Sequence, residues 1–225
     1  ETVSRVRAEL PDDVALIGFA GAPWTVATYM VEGGSSRDFN AIKSWAVRER
    51  ADFAAMMDIL VASTTDYLVA QVEAGAQALQ LFDTWAGAVP ANDFDDWVIS
   101  PTARIVAGVK ARQPDVPIIG FARGIGDRLE GYIRGTGVDA VGLDASMTAT
   151  EAAAKIQPIC PVQGNLDPAY LMVGGEEMER AAREILDGLG KGPFVFNLAH
   201  GIHKDTPFSH VERLAEIVRE WSPNS

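Results

Sequence analysis

Six short apolar runs recur along this chain, separated by longer segments with helical spacing. They are VALIGFA (14–20), QALQLFD (77–83), PIIGFA (117–122), DAVGLD (139–144), PVQGNL (161–166) and FVFNL (194–198). Several are nearly continuous in apolar residues, as strands buried on both faces should be. The alternation of strand and helix therefore predicts an α/β fold with a parallel sheet, either open and doubly wound or closed into a barrel. The strand ends favour closure. Gly21–Pro23, Asp83–Thr84, Arg123–Gly124, Asp144, Asn165–Asp167 and His200–Gly201 all follow a run directly. An open sheet gathers its site residues at one switch point, whereas every βα loop of a (β/α)₈ barrel faces the same mouth. A barrel with six of its eight strands visible is the expectation.

The connecting segments carry helix punctuation. In SPTARIVAGVKARQP, Ser100 reads as the N-cap, Pro101 as the first helical residue, and Pro114 follows the end. GEEMERAAREILDGLGKG has acids in its first turn and glycines after its last. The stretch 40–75 should hold two helices, and HVERLAEIVREW a final one. Val3, Val6 and Leu10 fall at helical spacing before PDD, with no initiator Met. The chain thus reads as a single barrel domain, residues 1–225, beginning inside a helix of a longer protein.

Composition narrows the class. The 225 residues, 48% of them hydrophobic, suffice for a substantial core. The balance of 19 Lys+Arg against 31 Asp+Glu gives −12, which argues against nucleic-acid binding, since that needs a basic face. A few arginines in one cleft could still hold a small anion. No run of about 18 uninterrupted apolar residues signals a membrane span. The single cysteine, Cys160, forms no internal disulfide and no Cys-based metal cluster, and a cytoplasmic protein is expected.

The candidate motifs separate on chemistry. RGIGDRLEG (123–131) has the first two glycines of a dinucleotide loop, but Leu129 stands where the third should be, so a glycine-rich βα loop is preferred. HGIHKDTP offers His200 and His203, with Asp205 as a conceivable third ligand, but this is a poor zinc set and no metal is expected. His200 is read as a donor to an anionic group, and His203 and His210 as surface residues. Asp83 and Thr84 form either a loop-closing turn or a carboxylate and hydroxyl facing a ligand. No nucleophile elbow occurs and Cys160 lacks a partner, so covalent catalysis is not expected. Trp24, Trp45, Trp85 and Trp97 read as packing residues.

GFAGAPWTVATYMVEG (18–33) crowds Gly18, Gly21, Ala22, Pro23, Trp24 and Tyr29 into a dozen positions, far more than a turn requires. It resembles the second signature of the uroporphyrinogen decarboxylase family. ALQLFDTWAG, GFARGIG, VGLD, QGNLDP and FNLAHGIHKDTP resemble further landmarks of that family in the same order, so that the resemblance covers nearly the whole chain. It implies a (β/α)₈ barrel whose strands three to eight are the six runs. It also carries three substrate-contacting positions onto this chain: Tyr29, also the catalytic candidate, Thr84 and His200. Small residues from Gly18 to Ala22 would leave the barrel mouth unobstructed, with Pro23 fixing the exit and Trp24 anchoring it. The family's first signature, with its carboxylate-binding arginines and pyrrole-binding aspartate, is not in this sequence.

The resemblance further implies cofactor-free decarboxylation of the four acetates of uroporphyrinogen III to give coproporphyrinogen III, by a homodimer. Loss of CO₂ from a pyrrole acetate leaves a carbanion unless a sink forms first, and protonation of a pyrrole carbon makes the ring that sink. Tyr29 and Thr84 would orient the reacting acetate, and His200 would bind a neighbouring carboxylate. Two other classes are kept. One is a cobamide-dependent methyltransferase of the same superfamily, which needs zinc held by His and Cys. The other is a non-catalytic tetrapyrrole-binding module.

Overall fold

The computed structural model describes residues 1–34 and 36–223, which fall into two compact units, Glu1–Asp139 and Ala140–Ser225. In the first unit, α1 (Thr2–Glu9) leads to β1 (Ile17–Gly21), then α2 (Pro23–Glu32), α3 (Asn40–Arg48) and α4 (Arg50–Glu73). β2 (Ala78–Asp83), α5 (Ser100–Arg112), β3 (Ile118–Ala122) and α6 (Leu129–Thr136) complete it. β1 pairs with β2 and β2 with β3, both parallel. The second unit holds β4 (Ala140–Gly142), α7 (Ala149–Lys155), β5 (Val162–Leu166), α8 (Pro168–Val173), α9 (Gly175–Leu189), β6 (Phe194–Leu198) and α10 (Phe208–Glu220). There β4 pairs with β5 and β5 with β6, again parallel. All six expected strands are present, as are both helices expected in 40–75.

Three local expectations need correction. β1 starts at Ile17 rather than Val14, because Val14 is held in a turn, its N–H bonded to the Pro11 carbonyl. Ser100 does not cap a helix. A short π-helical stretch, Asp95–Ile99, runs directly into α5, so Ser100 already lies on a helical path, with Pro101 in the first turn as expected. Not every strand is buried on both faces. β3 and β5 are, but β1 and β6 alternate between buried and open positions. Among the described residues β1 pairs with β2 alone and β6 with β5 alone, and alternate side chains of each strand are exposed. In β6, Phe194, Phe196 and Leu198 pack into a core with Leu171, Met178, Leu186 and Ile217 from α8, α9 and α10, while Val195 and Asn197 stay exposed.

Gly18 serves helix packing rather than an open mouth. A Cβ there would sit 2.8 Å from Gln71 Oε1 and 3.0 Å from a Leu79 methyl, so only glycine lets α4 lie this close to β1. Gln71, buried on α4, uses that closeness. Its amide accepts from the Phe19 N–H and donates to the Phe19 carbonyl, both at 3.0 Å, satisfying backbone groups that β2 does not pair. α4 is long and apolar enough, by length and composition, to cross a membrane. However, 44% of its apolar window is buried, and it packs on α2, α5 and β1.

Candidate active site

Strand alternation decides which side of β2 each residue serves. Leu79 lies against Gly18 on the helix side, so Leu81 and Asp83 point the same way, and Phe82 points to the opposite face. Asp83 is accordingly only 1% exposed. Its side chain turns inward, away from the loop that follows β2. Its Oδ1 accepts a 2.6 Å hydrogen bond from the Thr25 hydroxyl of α2. Burial raises its pKa to about 7, against the opposing pull of the Thr25 hydrogen bond.

The corner after β2 is held at three points. The Thr25 hydroxyl also accepts the Trp85 N–H at 3.1 Å, and the Trp24 indole N–H donates to the Trp85 carbonyl at 3.0 Å. Trp24 is wholly buried. Its ring stacks on Trp97 at 5.3 Å and meets Phe53 edge-on, and Trp45 packs on Phe53 in turn. Pro23 starts α2, so the sequence reading of Pro23 as exit and Trp24 as anchor agrees with the geometry. Thr84 lies between the two fixed residues Asp83 and Trp85 and is partly exposed.

Tyr29 follows Thr25 by one helical turn and is 48% exposed, its ring edge against Trp85 at 6.3 Å. Phe39 packs on the same Trp85 ring at 5.0 Å. The first unit therefore brings Tyr29 and Thr84 to one edge, connected through Trp85. His200 belongs to the second unit, two residues beyond β6, and is exposed. A groove of about 320 Å³ bounded by Arg50, Phe53, Trp97 and Arg104, and another of about 400 Å³ bounded by Phe19, Val26, Thr64 and Tyr67, contain none of these three residues.

Several other polar strand ends have structural tasks. The Asn165 amide donates to the carbonyls of Asp144 and Met147 at 2.9 and 2.7 Å, fixing the loop after β4. Asp167 caps α8 by accepting from the Ala169 N–H at 2.8 Å. In the RGIGDRLEG loop, Gly124 meets the loop after β2, where a Cβ on Gly87 would lie 2.6 Å from the Gly124 carbonyl oxygen. His210 is not a surface residue. It is half-buried and its Nδ1 bonds the Leu171 carbonyl at 2.9 Å. His203 is exposed and sits 3.7 Å from Asp205. Among the described residues, no group of three or more His, Cys, Asp or Glu side chains could hold a metal. Burial pushes the Cys160 thiol up to about 11, which suits a packing residue rather than a nucleophile.

Thr25 and Gln71 were not singled out in the sequence. The one available signal is polar residues on buried helical positions, since a buried hydroxyl or amide needs a specific partner.

Residues 1–221 match the family model for uroporphyrinogen decarboxylase (URO-D). The chain belongs to the uroporphyrinogen decarboxylase family. It is 55% identical over 219 residues to the uroporphyrinogen decarboxylase of Rhodospirillum rubrum, covering 97% of this chain and 63% of that protein. The Novosphingobium aromaticivorans uroporphyrinogen decarboxylase is 48% identical over 222 residues, covering 99% of this chain and 65% of the relative. The chain thus spans less than two thirds of the length of these relatives. Among solved structures, a methyltransferase from Methanosarcina mazei superposes with a TM-score of 0.81 at 20% identity, covering 97% of this chain and 62% of that one. At that identity the likeness shows a shared fold and nothing of the chemistry. In this chain Tyr29 and Thr84 fall in the two segments that the α2–β2 corner ties together.

Proposed function

We propose that this protein takes part in the decarboxylation of uroporphyrinogen III to coproporphyrinogen III in tetrapyrrole synthesis. The observation that carries this reading is the match of residues 1–221 to the uroporphyrinogen decarboxylase family model. In this reading the six parallel strands are part of a (β/α)₈ barrel, the protein works as a homodimer in the cytoplasm, and no cofactor or metal takes part.

The chemistry requires a group that orients the reacting acetate while the pyrrole takes up a proton. Tyr29 and Thr84 suit that task, because each carries a hydroxyl with exposure to solvent and both flank the same Trp85. Donors held in place before the reaction cost no reorganisation when charge develops, which is where such groups act most strongly. His200 would bind a neighbouring carboxylate of the octacarboxylate substrate. Protonation of the pyrrole carbon supplies the electron sink, so the electron pair of the broken C–C bond passes into the ring as CO₂ leaves. Protonation of the resulting exocyclic methylene makes the methyl group, and the ring carbon releases its proton to restore the pyrrole.

The test is anaerobic incubation with uroporphyrinogen III, following loss of carboxyl groups by chromatography. One arm uses the chain alone and another adds the N-terminal portion of the Rhodospirillum rubrum relative. Products with seven down to four carboxyl groups support the reading. Tetrapyrrole binding with no product in either arm would replace it with the non-catalytic binding module. Stoichiometric zinc on the purified protein, together with methyl transfer, would replace it with the methyltransferase.

A further inference from the structure

The corner after β2 contains a buried relay that the catalytic candidates do not include. Thr25 is 4% exposed, on the first turn of α2. Its hydroxyl has one proton, which goes to Asp83 Oδ1 at 2.6 Å, so its oxygen is free to accept the Trp85 N–H at 3.1 Å. The neighbouring Trp24 takes the Trp85 carbonyl at 3.0 Å. Consecutive residues of α2 therefore hold both backbone polar groups of Trp85, and Thr84 is suspended between two clamped neighbours. The same Trp85 presents its ring to Tyr29, four residues after Thr25. One hydroxyl thus sets the position of a loop hydroxyl on one side and of a helix hydroxyl on the other.

We propose that Thr25, oriented by Asp83, is a positioning residue that holds Thr84 and Tyr29 in register with each other. Thr25 does not touch substrate. Its effect passes through the Trp85 backbone and ring, and the catalytic consequence rests on the decarboxylase reading above. A wandering corner would leave Thr84 and Tyr29 present but misplaced, and a displacement of about 1 Å commonly costs about 10²-fold in rate.

The experiment compares Thr25→Val, which keeps the shape but neither hydrogen bond, with Thr25→Ser, which keeps the hydroxyl. Amide hydrogen exchange at Trp85 is read by NMR, and uroporphyrinogen III turnover is measured in the arm that is active. In the wild type the Trp85 N–H should be protected. Thr25→Val should speed its exchange roughly tenfold relative to the flanking β2 amides. In turnover, Thr25→Val should lower kcat with KM little changed, and Thr25→Ser should restore both exchange and kcat. A Trp85 N–H exchanging at the free-peptide rate in the wild type would overturn the clamp even if Thr25→Val does not fold. A folded Thr25→Val protein with wild-type exchange and kcat would overturn it equally, as would a Thr25→Ser protein that restores neither. Absence of turnover in every wild-type arm would sink the decarboxylase reading alone, and the exchange result would still decide the clamp.

Discussion

Asp83 should make this protein less stable as pH rises from mildly acidic to neutral, the reverse of the usual behaviour of a carboxylate. Its Oδ2 is buried with no hydrogen-bond partner among the described residues. Burial dominates over the hydrogen bonding from Thr25, and the folded-state pKa rises from 3.8 to about 7. The folded protein holds a proton that the unfolded chain releases. The associated stability is complete below the unfolded value near 4, declines across the window from there to about 7, and is gone above it. The slope approaches about 1.36 kcal/mol per pH unit in mid-window and halves at the folded pKa, so the interval from pH 5 to pH 7 corresponds to about 2 kcal/mol. For a chain of this size that is a shift of roughly 4–8 °C in Tm. The measurement is urea and thermal unfolding at pH 5, 6, 7 and 8 on the wild type and on Asp83→Asn. Asparagine still accepts from Thr25 through Oδ1 but does not titrate. Subtracting the two curves removes every other titrating group, including the three histidines. Wild-type stability should fall relative to Asp83→Asn as pH rises. A flat difference, or one of opposite sign, would show that Asp83 is ionised in the folded protein and refute the argument.

Tyr29→Phe should lower kcat and kcat/KM together by about 10²-fold with the fold intact, as expected for a donor that acts on the transition state. Unchanged turnover would reduce Tyr29 to a partner of Trp85. Gly18→Val should destabilise by about 2–4 kcal/mol, from overpacking and loss of the paired Gln71–Phe19 hydrogen bonds. Chemical denaturation would show this, and a loss under ~1 kcal/mol would mean that α4 shifts freely. Treatment with EDTA or phenanthroline should leave both unfolding and turnover unchanged. Metal analysis finding zinc on His200 and His203 would contradict that.

Strands and helices were legible in the sequence because their information is local. A run such as PIIGFA has its apolar residues contiguous whatever lies around it, and GEEMERAAREIL carries its first-turn acids and helical period in consecutive residues. The ordered family landmarks were legible for a related reason, being short contiguous segments. Partnerships were a different matter. The sequence by itself reads Gly18 as clearing a barrel mouth, whereas its neighbour is Gln71, 53 positions further along. Asp83 looked equally suited to a turn or to a ligand. Its true surroundings follow from the side of β2 it shares with Leu79 and from the crossing of α2 over that side, which brings Thr25 within 2.6 Å. His210 looked like a surface histidine until α8 and α10 packed against each other. Local propensity is a property of a few consecutive residues, whereas a hydrogen bond between positions 25 and 83 exists only once two elements have docked. The type of each element therefore came from sequence alone, and the roles of its polar residues came only from tertiary packing.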